Sequence, residues 1–194
     1  MPLPSPCCSC PAHPADNGRR AVMRLAAAGF AAPLVGAVSV AHAQLSAGDQ
    51  LVEDDAEGAP QPLRVADLKP GRPMLAFPFD PKARVVRNES RLTKVVLIKL
   101  AEADMNPATR ERSAGGVIAY SAVCTHQACD VKTWLAKEKA LVCFCHASKF
   151  KPLEGGVVAS GPAPRALPSL PLALDGELLV IAGAFSAAPG GTAS

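Results

Sequence analysis

Two short cysteine–histidine boxes hold nearly all the chemistry this chain can do. The first reads Cys124-Thr125-His126-Gln127-Ala128-Cys129 and the second Cys143-Phe144-Cys145-His146-Ala147-Ser148. Every cysteine and histidine beyond residue 43 lies in one of them. Thiolates and imidazoles bind metals, and three chemistries are open. Zinc takes two of each in a closed tetrahedral site. A pair of disulfides could staple an exported domain, leaving both histidines idle. A 2Fe–2S cluster with two imidazoles in place of two thiolates would use both boxes. Neutral ligands remove negative charge, so its potential lies above that of a four-thiolate cluster.

The order Cys-Thr-His-x-x-Cys followed by Cys-x-Cys-His-x-Ser resembles the cluster-binding loops of Rieske iron–sulfur proteins. The resemblance runs from Gly116 to Phe185. It includes Gly161-Pro162-Ala163-Pro164, which is similar to the proline loop that covers the cluster in respiratory members. It implies one 2Fe–2S cluster, with Cys124 and Cys143 on one iron and His126 and His146 on the other. It also implies a disulfide between Cys129 and Cys145. The family histidines are exposed, and their free ring nitrogens couple electron uptake to proton uptake. Ser148 matches a serine whose hydroxyl donates to a bridging sulfide. Phe150 stands where high-potential members carry a tyrosine that donates to a cysteine sulfur. With one donor present and one absent, the resemblance implies an intermediate potential.

Gln127, Phe144 and Ala147 replace the leucine, proline and glycine usual in quinol-oxidising members. These departures shift the resemblance towards periplasmic Rieske proteins such as the small subunit of arsenite oxidase. That type shares a Val-Ala-Tyr-Ser-like lead into the first box and a phenylalanine at the position of Phe150. The implied function is electron transfer with a redox partner, a catalytic subunit, a cytochrome c type acceptor or both. No substrate chemistry is expected from the chain alone. The alternatives are the Rieske subunit of a quinol–cytochrome c reductase (cytochrome bc) complex and, in another class, a zinc-binding structural module. A mononuclear oxygenase site has no ligands to spare: beyond His126 and His146 only His13 and His42 remain.

The elements that must position these boxes read as short strands. The chain of 194 residues suits one domain, and its 19 prolines and 15 glycines punctuate brief apolar runs. Strands are expected at 63–68, 73–79, 94–100, 117–120, 140–142 and 157–159. A hairpin spans 170–182 about Asp175-Gly176, read as a type I′ turn. Residues 106–112 read as a loop or a short helix, and Tyr120 as core. The expected fold is all-β, an antiparallel Rieske-type sandwich with a small cluster-binding subdomain at about 116–165 inside a domain spanning 63–185. Residues 44–62 read as a flexible acidic lead and 186–194 as a disordered tail.

Residues 1–43 read as a targeting segment. Arg19-Arg20 precede a weakly apolar run and Ala41-His42-Ala43, the pattern of a twin-arginine signal with a small-residue cleavage site. Periplasmic export is therefore expected. The alternative is a retained membrane anchor, although Leu25 to Val40 falls just short of the roughly 17–25 residues that span a bilayer. Cys7, Cys8 and Cys10 precede the arginines and receive no function. Basic residues are interleaved with acidic ones, so no nucleic-acid partner is expected.

Overall fold

The computed structural model describes residues 45–55 and 58–191. The targeting segment, Cys7, Cys8, Cys10 and the last three residues lie outside the described residues. In chain order the strands are β1 (Gln50–Glu53), β2 (Met74–Asp80), β3 (Val85–Val86), β4 (Val95–Lys99), β5 (Val117–Ser121) and β6 (Thr133–Leu135). There follow β7 (Ala140–Cys143), β8 (Ser148–Lys151), β9 (Val157–Ser160), β10 (Ser169–Leu170), β11 (Leu172–Asp175) and β12 (Leu178–Ile181). The segment at 106–112 forms a short helix, α1 (Pro107–Glu111), with Asn106 Oδ1 accepting the Thr109 N–H at its start.

All strand pairs within the two sheets are antiparallel. The larger sheet runs β10-β5-β4-β2-β1-β12-β11, with β3 paired to β2, and the smaller runs β6-β7-β8-β9. The Val-Val-Leu-Ile run of β4 shows how they join. Side chains alternate across a strand, so β4 sends Val95 and Leu97 to one face and Val96 and Ile98 to the other. The first pair joins a core with Leu51, Val117, Ala119, Leu170, Leu179 and Ile181, enclosed by the larger sheet. The second pair joins Ile118, Tyr120, Leu141 and Phe150, a core shared with the smaller sheet. Both faces of β4 are buried, which is why its sequence is continuously apolar.

Four expectations change. The acidic lead is not a free strap: β1 lies between β2 and β12, with Leu51 fully buried. Its acids are also engaged, since Asp49 pairs with Arg87 at 2.9 Å and Asp54 with Lys94 at 2.8 Å. Counting acids hid the Gln-Leu-Val-Glu alternation. Residues 63–68 form no strand of their own but a 3-10 turn at Val65–Asp67 flanked by single bridges, because the Asp67 carboxylate accepts the Arg64 N–H at 2.7 Å. The β11–β12 hairpin pairs Asp175 with Leu178, which puts Gly176 (φ +60°) and Glu177 in the turn. Positive φ at the first central residue alone is the type II′ pattern, not I′. The tail is ordered as far as Gly191, beginning with the Ser186 N–H donated to the Ser169 carbonyl at 2.9 Å.

The place of β1 in the core gives a direct expectation. Leu51→Ala should lower unfolding stability by about 2–5 kcal/mol, the usual cost of deleting a fully buried leucine. Denaturant unfolding checks it, and a loss well under 1 kcal/mol would return this segment to the surface.

Candidate metal centre

The two boxes occupy loops of different construction. The second is the tip of the β7–β8 hairpin: Cys143 pairs with Ser148, leaving Phe144 to Ala147 as a four-residue turn. The first follows β5 and is longer. It closes on itself through Cys124 N–H to Cys129 O at 2.8 Å and Ala128 N–H to Cys124 O at 3.0 Å. Ala128 (φ +58°) and Ala147 (φ +57°) both adopt the left-handed conformation, at a cost of roughly 1–2 kcal/mol each for a residue with a Cβ. Two such residues in two adjoining loops imply that the turn shape is imposed by what the loops must hold.

The disulfide expected between Cys129 and Cys145 is present and ties the loops together. Cys124 and Cys143 are free thiols, 1% and 2% exposed, set in the core that holds Phe150 and Leu141. They contact each other. Burial pushes the Cys143 thiol up and the Cys124 thiol beside it acts the same way, while the N–H groups of Cys145 and His146 favour the thiolate. On the solvent side, His126 Nδ1 and His146 Nδ1 face each other at 3.2 Å with the rings perpendicular. His126 is half-buried and His146 exposed.

The arrangement distinguishes the metal readings. In a tetrahedral zinc site, ligands about 2.0–2.3 Å from the ion place all four donor atoms within about 4 Å of one another. Among the described residues, the donors gathered within 4.8 Å are Cys129, Cys143 and Cys145, and two of these are spent in the disulfide. Among the described residues, neither histidine falls in a group of three such donors within that distance. Two thiols behind and two imidazoles in front suit a two-iron unit, with one pair per iron. Two Nδ1 atoms 3.2 Å apart can share one ion at ordinary metal–nitrogen distances.

The Rieske [2Fe-2S] domain family matches residues 64–171, more than half of the sequence. The chain belongs to the Rieske family. It is 33% identical to a protein of Haloferax mediterranei named as the Rieske subunit of a respiratory nitrate reductase, over 86% of this chain and 74% of that one. It is 32% identical to the Rieske iron–sulfur subunit of a cytochrome bc1 complex from Streptomyces lividans, over 75% of this chain and 85% of that one. The corresponding subunit of Corynebacterium diphtheriae is 39% identical over 97 residues, and that match covers 24% of its length. The Rieske domain carries one 2Fe–2S cluster, and the donor pairs described above suit it.

Around the donors, Ser148 is buried and its Oγ accepts the Ala163 N–H at 3.2 Å, which leaves the hydroxyl proton free to donate. That contact joins the second loop to the proline loop. Gly161 (φ +93°) makes the approach possible: a Cβ there would lie 2.5 Å from Ser148 Cα. Pro162 is exposed beside it, and Phe150 is fully buried in the core next to the thiol pair. Tyr120 is core, as expected, its hydroxyl donating to the Pro152 carbonyl at 2.7 Å.

Three supporting residues escape a motif reading. Buried Thr125 donates from Oγ1 to the Arg165 carbonyl at 2.7 Å. Arg91 donates to the Ala128 carbonyl and to Asp130, both at 2.8 Å. Arg91 lies far from both boxes in sequence and leaves no spacing signal, whereas Thr125, inside the first box, and Arg165, directly after the proline loop, could have been flagged.

Removing one hydroxyl near the cluster site and adding another should move its potential in opposite senses. Ser148→Ala removes a hydroxyl proton that is free to donate to a bound cluster and should lower the midpoint, whereas Phe150→Tyr adds a hydroxyl beside the thiol pair and should raise it. Protein-film voltammetry of the two variants checks this, and midpoints equal to the parent protein in both would contradict it.

Proposed function

We propose that this chain is the electron-transferring subunit of a respiratory-type oxidoreductase, with Cys124 and Cys143 on one iron and His126 and His146 on the other. The observation that carries the reading is the split donor set, a buried thiol pair behind a solvent-facing imidazole pair. When bound, the cluster supplies one-electron exchange. The chain's own groups do the rest. Cys124 and Cys143 are shielded from water by the core, and the N–H groups of Cys145 and His146 stabilise negative charge on sulfur. The imidazoles present the redox end to a partner. Phe144, 72% exposed between Cys143 and Cys145, puts an apolar surface on the same tip. The Cys129–Cys145 disulfide keeps the two loops from separating.

A catalytic subunit is the partner we propose, supported by the relative named as a nitrate reductase Rieske subunit, which aligns over most of both chains. The arsenite-oxidase-like form of this proposal rests on Phe150 and on the lead into the first box. A cytochrome bc complex is the second reading, favoured by the bc1 Rieske relatives and the proline loop. Export by the twin-arginine route to the periplasm belongs to the same proposal and rests on Arg19-Arg20. No described helix is long and apolar enough to cross a membrane.

Affinity purification of the exported protein from its native host tests the assignment. The expected result is a brown protein whose intact mass begins at Gln44, accompanied by a molybdenum-containing catalytic subunit. Co-purification with a cytochrome b in its place would favour the bc reading, and a colourless, zinc-loaded monomer would contradict both.

A further inference from the structure

We propose that the C-terminal segment Ala188–Gly191 is a strap that holds the first cluster loop, with Arg165 as the positioning residue that fastens it. The proposal deepens the ligand assignment above, since the peptide it braces is that of His126. Arg165 ends the proline loop and is bonded in two directions. Its carbonyl accepts the Thr125 hydroxyl at 2.7 Å, between the proposed ligands Cys124 and His126. Its guanidinium donates to the Ala188 carbonyl at 2.7 Å and to the Gly190 carbonyl. One residue therefore links the two, its side chain bonded to the tail and its backbone carbonyl to the loop.

The tail then lies directly on that loop. A Cβ at Gly191 would meet the His126 carbonyl oxygen at 2.6 Å and its carbonyl carbon at 3.3 Å. Only glycine allows so close an approach without moving one backbone or the other. Gly190 is buried with φ +88°, and a Cβ there would press on Leu92 Cδ2 at 3.2 Å. Its conformation and its surroundings both select against a side chain.

A physical need for this support follows from how the loops are built. The second loop is a hairpin tip, held by the β7–β8 ladder on both sides. The first has a single bridge, Val123 to Asp130, beyond its internal bonds. A loop with so few ladder bonds opens more readily. External contacts from Arg91, Arg165 and the tail supply what the ladder does not. Hydrogen bonds from a charged guanidinium are stronger than neutral ones, so their loss should change local opening about tenfold or more.

The test compares the full chain with Arg165→Gln, with a chain ending at Ala187, and with the two changes combined. Amide hydrogen exchange and the rate of cluster loss to an iron chelator are read on each. Exchange at Cys124 and Ala128, whose N–H groups close the first loop, should rise about tenfold or more in all three, with faster bleaching and no change in the second loop. The combined variant should match the truncation, because both changes release the same strap. Parent-like exchange in the truncated chain, additive effects, or equal acceleration in both loops would overturn the proposal. If these variants fail to fold, Gly191→Ala keeps every Arg165 bond while displacing the His126 peptide. It should accelerate exchange at the Ala128 N–H, which bonds across the loop, and unchanged exchange there would overturn the proposal. Hydrogen exchange needs no iron, so a parent protein that takes up no cluster would overturn the ligand assignment and leave the strap measurable.

Discussion

Two thiols buried side by side, with two imidazoles held in front of them, set the constraint that the rest of this chain serves. Burial disfavours the thiolate form that metal binding needs at Cys143, so forming it there calls for positive charge and N–H donors. The N–H groups of Cys145 and His146 point at Cys143, and a bound cluster would supply the balance of positive charge. The core shared by β4, β5, β7 and β8 is therefore both a hydrophobic core and the low-dielectric back wall of the site. Phe150 and Tyr120 belong to that wall.

The two loops meet this constraint unequally. One inherits its shape from a hairpin, and the other borrows support from distant parts of the chain. Ala128 and Ala147 occupy left-handed conformations at corresponding places, each just beyond its histidine. The disulfide joins the loops directly, and the proline loop clamps both, Ala163 through Ser148 and Arg165 through Thr125. Strain in the turns and redundancy in their fastening belong together: a conformation that local sequence disfavours persists because neighbours overdetermine it.

How far the sequence could be read follows the same division. The family was legible because the two cysteine–histidine boxes carry the resemblance at fixed spacing, and the disulfide pairing followed from that resemblance. The core strands were legible from continuous or alternating apolar runs, as with Val95–Ile98. What failed depended on tertiary context. The acids of Gln44 to Pro62 suggested a solvated lead, yet two of them form ion pairs that pin β1 into the sheet. The alanines and glycines after Phe185 suggested disorder. At Gly190 and Gly191 the missing side chain is instead what lets the tail lie against the first loop. Composition records the small residue but not the surface it meets.

The claim beneath all of this is that two histidine nitrogens lie on one iron and two cysteine sulfurs on the other. Electron–nuclear double resonance on the reduced protein, prepared with nitrogen-15 histidine, tests it most directly. The account predicts two directly coordinated histidine nitrogens coupled to the cluster spin, and loss of one when His126 is replaced by a non-ligating residue. A cluster signal without histidine coupling, or a protein that binds zinc and gives no such signal, would contradict it.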